Sequence, residues 1–150
     1  MSDYDRSEIE RHFSRWREAV DRRDLDAMAS MLTPDTRGGN AVFGLSEGRD
    51  AVMRFMEHWP ESVPNRSLWH VIDGVRVVNK WRETLPGTPP EDRDYHSYQY
   101  DGISELIYAG DQKWNFMYGL PDQVGLMRVY AQWRKDGQAT IHGEVYPGIP

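Results

Sequence analysis

His70 is the residue best suited to acid–base chemistry. It sits in Trp69-His70-Val71-Ile72, and an imidazole in an apolar pocket moves protons near neutral pH. Strand alternation sets Leu68, His70 and Ile72 on one face, expected to be the inner one. Asp35, just after Pro34, is a carboxylate able to orient and charge-stabilise that imidazole, or to act as a base itself. Tyr118 offers a phenolic hydroxyl to a carbonyl or a developing oxyanion, and Asn115 is a second group for a substrate oxygen. Glu105, between Ser104 and Leu106, would carry a raised pKa if buried and is an alternative base. Each has a structural alternative: a packed or contact histidine, a turn aspartate, a packed tyrosine, an outward-facing glutamate.

Other chemistries lack their residues. His12, His58, His70, His96 and His142 show no HxH or HExxH spacing, so no metal is expected. There is no GxGxxG or GxxxxGK[ST] loop, which counts against a nucleotide cofactor. Without Cys or a GxSxG elbow, a nucleophilic hydrolase is also unsupported. The groups above are candidates for proton transfer.

Such groups need a dry cavity. Six Trp, eight Tyr and seven Met are a large stock of bulky side chains for 150 residues. They fill either a core or the walls of an apolar pocket. Trp16, Phe55, Trp59, Trp81, Tyr98, Trp114 and Met117 are the candidate walls, with Glu105 and Asn115 as polar groups among them. His96, Tyr98 and Tyr100 share one face of a long strand, His96 lying close to a polar loop.

The elements that must position these residues centre on Tyr95–Leu120. Two runs rich in aromatic and β-branched residues flank Ala109-Gly110-Asp111-Gln112, which predicts a hairpin of Tyr95–Ala109 and Lys113–Leu120. So long a first arm must bend, with Gly102 as the expected bend or bulge. Ahead of it, Arg66–Ile72 and Val75–Leu85 turn at Asp73-Gly74. Ser7 and Glu10 form a capping box for a first helix, with Ile9, Phe13, Trp16 and Val20 on its inner face. Asp24 caps a second helix that Pro34 stops, and a Gly-weakened strand follows over Arg37–Leu45. A third helix carries Val52, Phe55, Met56 and Trp59; a fourth, opened by Pro121-Asp122, carries Leu126, Val129, Tyr130 and Trp133. Ala139–Val145 reads as a last strand. The order α-α-β-α-β-β-β-β-α predicts an α+β fold: a curved antiparallel sheet bent into a cup under the helices.

Those punctuation marks resemble the nuclear transport factor 2-like superfamily, in its SnoaL-like branch. The matching stretches are Leu32-Thr33-Pro34-Asp35 after paired helices, Gly48-Arg49-Asp50-Ala51-Val52 opening the third helix, His70 before Asp73-Gly74, and Tyr108-Ala109-Gly110-Asp111 running into Trp114. The resemblance implies a cone-shaped fold in a single domain spanning 1–150, with its core at about 7–135 and a tail from 136. It implies a pocket served by Asp, His and Tyr without metal or cofactor. Relatives include polyketide cyclases, ketosteroid isomerases, scytalone dehydratases, limonene epoxide hydrolases and non-catalytic binders, so the fold does not choose among them. Many carry acidic residues on the strand after the Trp, where this chain has Met117-Tyr118-Gly119.

The expected function is a general acid–base enzyme of isomerase, dehydratase, cyclase or epoxide-hydrolase type. It would act on a small hydrophobic oxygenated molecule, with His70 as acid or base, Asp35 its partner and Tyr118 or Asn115 on the substrate oxygen. A non-catalytic binder of a small hydrophobic ligand and a dimeric interaction module are the alternatives. Homodimerisation is expected by analogy with the family. A net charge of −6 and pI near 5.3 argue against nucleic acid or an anionic membrane as partner. The polar, acidic N-terminus, the absence of Cys and the lack of a long apolar run suit a cytoplasmic location.

Overall fold

The computed structural model describes residues 4–57, 63–94 and 97–138. In chain order the elements are α1 (Arg6–Arg22), α2 (Leu25–Ser30), β1 (Leu32–Asn40), β2 (Gly44–Glu47), α3 (Arg49–Glu57), β3 (Asn65–Asp73), β4 (Arg76–Leu85), β5 (Tyr98–Gly110), β6 (Lys113–Pro121) and α4 (Gln123–Lys135). The strands form one curved, unclosed sheet in the order β2-β1-β6-β5-β4-β3. This is the α+β cone expected from the sequence, with one departure: β1 joins β6 in parallel, while every other neighbouring pair is antiparallel.

Local chemistry explains the helix ends. Asp5, not Ser7, caps α1: its carboxylate accepts the Ser7 backbone N–H at 3.0 Å and also the Ser7 hydroxyl. The expected capping box therefore starts two residues early, because a carboxylate outcompetes the hydroxyl for the free amides. The buried stripe is Ile9, His12, Phe13, Trp16 and Ala19. Asp24 caps α2 as expected, accepting from the Ala27 amide at 2.9 Å.

Two strand expectations are corrected. β1 starts at Leu32 and runs through Pro34, and the expected single strand over Arg37–Leu45 is two strands joined at Ala41–Phe43. Pro34 is tolerated because pairing with β6 is interrupted between Leu32 and Arg37, so its missing N–H breaks no ladder. The turn is held by Asn40 Oδ1, which accepts from the amides of Val42 (2.9 Å) and Phe43 (2.8 Å). In β5 the register runs unbroken through Gly102; the shifts fall between Ile107 and Gly110 instead. The strand expected over Ala139–Val145 lies outside the described residues.

The register of β3 shifts between Ser67 and Trp69. One extra residue reverses the phase of alternation. Asn65 and Ser67 share the inward side with His70 and Ile72, while Leu68 is exposed.

Two apolar clusters stand on the concave side. One joins α1, α2 and α3 to Val77, Leu106, Tyr108 and Trp114. The other joins α4, through Leu126, Tyr130 and Trp133, to Trp81, Leu85, Tyr98 and Tyr100. Tyr98 donates to Asp136 Oδ2 at 2.9 Å and Trp133 Nε1 to the Pro86 carbonyl at 2.7 Å, which anchors the end of α4. No helix of the described residues is long and apolar enough to cross a membrane.

His12 is the odd member of the first cluster. It is buried against Trp114 (ring centroids 4.6 Å) and Tyr108 (5.3 Å), and neither ring nitrogen has a partner among the described residues. Burial, with Arg15 and Lys113 nearby, pushes its pKa down to about 4. The unfolded chain therefore takes up this proton below about pH 6.5 and the folded chain only near 4, so stability falls as pH drops through that window. Replacing His12 with Leu removes two unpartnered polar atoms. The expected result is a gain of about 1–3 kcal/mol at pH 7 in urea unfolding, and loss of the rise in stability that His12 contributes between pH 4 and 6.5.

Candidate active site

Between the two clusters lies an apolar cup with an empty volume of about 930 Å³, its open mouth included. Its walls come from α1 (Trp16, Val20), α3 (Phe55, Met56), β5 (Leu106), β6 (Met117) and α4 (Leu126). Strand β4 forms the floor. Its alternation is strict: Val77, Asn79, Trp81, Glu83 and Leu85 all point inward and are buried. A carboxylate is thus carried inside by the same period that buries its apolar neighbours.

Glu83 is 2% exposed and lines the cavity. Its Oε2 accepts the Tyr100 hydroxyl, from the residue directly opposite on β5. Its Oε1 accepts Asn65 Nδ2 at 2.7 Å. Asn65 Oδ1 in turn accepts Arg17 Nη1 at 3.0 Å, and the Asn65 carbonyl accepts Arg17 Nη2 at 2.6 Å. The result is a connected row, Arg17–Asn65–Glu83–Tyr100, spanning α1, β3, β4 and β5. Burial pushes the Glu83 carboxyl up to about 7; the hydrogen bonds from Tyr100 and Asn65 and the charge of Arg17 offset only part of that. A carboxyl at that value gives and takes protons at neutral pH.

Further along the floor, Trp81 lies flat on Gly102, where a Cβ would come within 2.3 Å of the indole. Its Nε1 donates to Ser104 Oγ at 2.7 Å, and Ser67 and Asn79 are joined at 2.6 Å one pair beyond. Ser104 and Asn79 both line the cup. From Tyr100 to Ser104 is four residues of strand, about 13 Å. The cup therefore has one ionisable pole and one hydroxyl–amide pole, with Trp81 between.

The residues singled out from sequence divide sharply. Trp16, Phe55, Trp81 and Met117 line the cup. Tyr118 borders it, but its ring lies beside Phe116 (6.4 Å between centroids), and alternation puts both on the face opposite Met117 and Gly119. His70 does not line the cup. It faces inward as expected, opposite Asn79, but α1 covers it there: Nε2 lies 2.6 Å from Glu10 Oε1 and the ring packs on Phe13 at 4.5 Å. Asp35 is exposed on β1, so the expected His70–Asp35 pair is not formed. Glu105 points outward and pairs with Arg76, Asn115 is exposed, Tyr98 is buried against α4, and Trp114 is buried beside His12. Trp59 and His96 lie outside the described residues. Glu83, Asn65 and Arg17 were missed. Counting by twos from Trp81 would have found Glu83, whereas its partners come from distant elements.

The sequence matches the SnoaL-like domain family over residues 13–116, more than half of the chain, and the protein belongs to that family. None of the curated proteins matches it by sequence. Its fold is similar to an LEH-like epoxide hydrolase from M. tuberculosis (14% identity, 92% of this chain and 98% of that one, TM-score 0.67). It is also similar to an NTF2-like protein from Burkholderia pseudomallei K96243 (19% identity, 81% and 95%, TM-score 0.65). A de novo designed protein with a curved β-sheet shares it as well (17% identity, 88% and 99%, TM-score 0.61). At such identities the likeness is one of fold, which hosts natural and designed chains alike.

Proposed function

We propose that the protein is a cofactor-independent enzyme that moves a proton on a small, mainly apolar, oxygenated molecule, with Glu83 as the general acid or base. The observation that carries this reading is the placement of Glu83: a buried carboxyl on the floor of an open apolar cup, near neutrality in pKa and oriented by Tyr100 and Asn65. A carboxyl placed there purely for stability would be a poor choice, since burying it costs more than an apolar residue of its size. Ser104, at the other pole, offers its hydroxyl to a substrate oxygen, fixed in place by Trp81. The reaction classes that fit are isomerisation, dehydration, cyclisation and epoxide hydration, all of which occur on this fold. The reading is tested by turnover of such substrates in the wild type and in Glu83→Gln; undiminished turnover in the variant overturns it.

We also propose that the outer face of the sheet pairs with a second copy. Register aligns Trp69, Lys80, Ile103 and Leu120 in one row and Val71, Val78, Glu105 and Tyr118 in the next. Trp69, Val71, Ile103 and Leu120 are exposed there. The same face carries Arg76 with Glu105 and Arg82 with Asp101, both signs side by side, as a two-fold self-complementary contact requires. Light scattering is expected to give a dimer, and Trp69→Asp with Leu120→Arg a folded monomer; a monomeric wild type contradicts this.

A further inference from the structure

Arg17 is more than a prop for Asn65. A guanidinium has five N–H donors. Nη1 is bound to Asn65 Oδ1, and the Nη2 group to the Asn65 carbonyl and to Asp21 Oδ1 at 3.0 Å. The Nε–H is buried and has no partner among the described residues. The side chain is 13% exposed and lines the cup, whereas its carboxylate partner Asp21 is 60% exposed and screened by water. Burial works against this charge, pulling the Arg17 pKa down. The nearest buried carboxyl, Glu83, is reached through Asn65 and is half-protonated near pH 7, so it does not fully neutralise the arginine. A mostly buried cation that keeps an unpartnered Nε–H beside an apolar cavity, and whose one direct carboxylate is exposed, is under-compensated on its cavity side.

We infer that the ligand of this cup carries a carboxylate or similarly acidic oxygen on an apolar body, and that Arg17 receives it. This rests on the reading of the cup as the functional site. The groups that face the incoming anion are Arg17 and Asp21 from α1, Asn65 from β3, Glu83 from β4 and Tyr100 from β5. Of these only Arg17 carries positive charge. An anion placed there also disfavours ionised Glu83, so it binds together with a proton. The bound state then holds Glu83 as the acid, with its proton beside the ligand. That selects an apolar acid over its neutral amide, ester or alcohol.

The test is calorimetric titration of the full chain with 2-naphthoate and with 2-naphthamide, which share a body and differ in charge. The wild type is expected to bind naphthoate about tenfold or more tightly than the amide, the scale of one charge-assisted hydrogen bond. In two buffers of different ionisation enthalpy at pH 8, naphthoate binding should take up a large fraction of one proton and naphthamide binding none. Arg17→Met is expected to erase the preference, read as the ratio of the two affinities within that variant. If that variant does not fold, the wild-type preference and proton uptake decide alone. Equal affinity for the two probes, a preference that survives in Arg17→Met, or no binding of naphthoate overturns the inference. Equal affinity leaves the acid–base reading to its own test in Glu83→Gln, so the two failures are distinguishable.

Discussion

Glu83→Gln is expected to lose about 10²–10⁴ in turnover and, above neutral pH, to be more stable than the wild type. Glutamine keeps the shape and can still accept from Asn65, but it cannot give or take a proton. The stability gain follows from the pKa. Folding raises Glu83 from about 4.5 to about 7, so the folded chain holds this proton more tightly than the unfolded chain between those values. Stability is therefore full below pH 4.5 and is lost as pH rises through 7. The loss is on the order of 3 kcal/mol, since each pKa unit is worth about 1.4. Glu83→Gln should recover much of it at pH 8 and little at pH 4.5, measured as urea midpoints. His12 acts in the opposite sense over nearly the same window, gaining stability as pH rises from 4 to 6.5. The wild type should thus show a nearly level profile, which tilts one way in Glu83→Gln and the other in His12→Leu. A parallel shift of the whole profile in Glu83→Gln would show that the site does not titrate in this range.

Gly102→Ala is expected to damage both fold and cup. The added methyl would lie 2.3 Å from Trp81 Cη2 and Cζ2 and 2.9 Å from Cε2. The indole cannot yield easily, being held by Ser104 at 2.7 Å and set edge-on to Tyr100 at 6.4 Å. Overpacking of this kind costs about 1–3 kcal/mol. It has a functional effect as well, because a displaced indole occupies the cavity and disturbs Tyr100 next to Glu83. Ligand affinity should fall at least about tenfold. Adding Trp81→Phe should restore part of the stability, a coupling that a double-mutant cycle reads directly. Unchanged stability and binding in Gly102→Ala would mean that the contact is not as close as described.

The fold was legible because its signals are local and repeated. Helical periodicity, Asp24 and Asp122 caps, the Asp73-Gly74 turn and the long aromatic hairpin each point to the same cone. The start of β1 was obscured because Pro34 read as the stop of α2, and only tertiary pairing with β6 extends the strand back to Leu32. The walls of the cup were partly legible for the same reason as the core: Trp16, Phe55, Trp81 and Met117 are bulky and sit on inward faces. The polar site was not. His70 drew the reading because it is a histidine on the inward side of an apolar strand, but α1 covers that end of the strand and its Glu10 and Phe13 take the ring. Glu83 looks like any strand glutamate until its neighbours are known. Arg17 and Asn65 are 48 residues apart in sequence and meet only when α1 lies across the sheet.

The central claim is that Glu83 is a buried carboxyl exchanging its proton near neutrality, and it can be measured without knowing the substrate. The experiment is a carbon-13 NMR titration of protein labelled at the glutamate side-chain carboxyl, from pH 4 to 9, with Glu83→Gln as the assignment control. One resonance is predicted to titrate near pH 7 and to be missing from the variant. If every glutamate carboxyl titrates below about pH 5, Glu83 is an ordinary ion at neutral pH and the account fails.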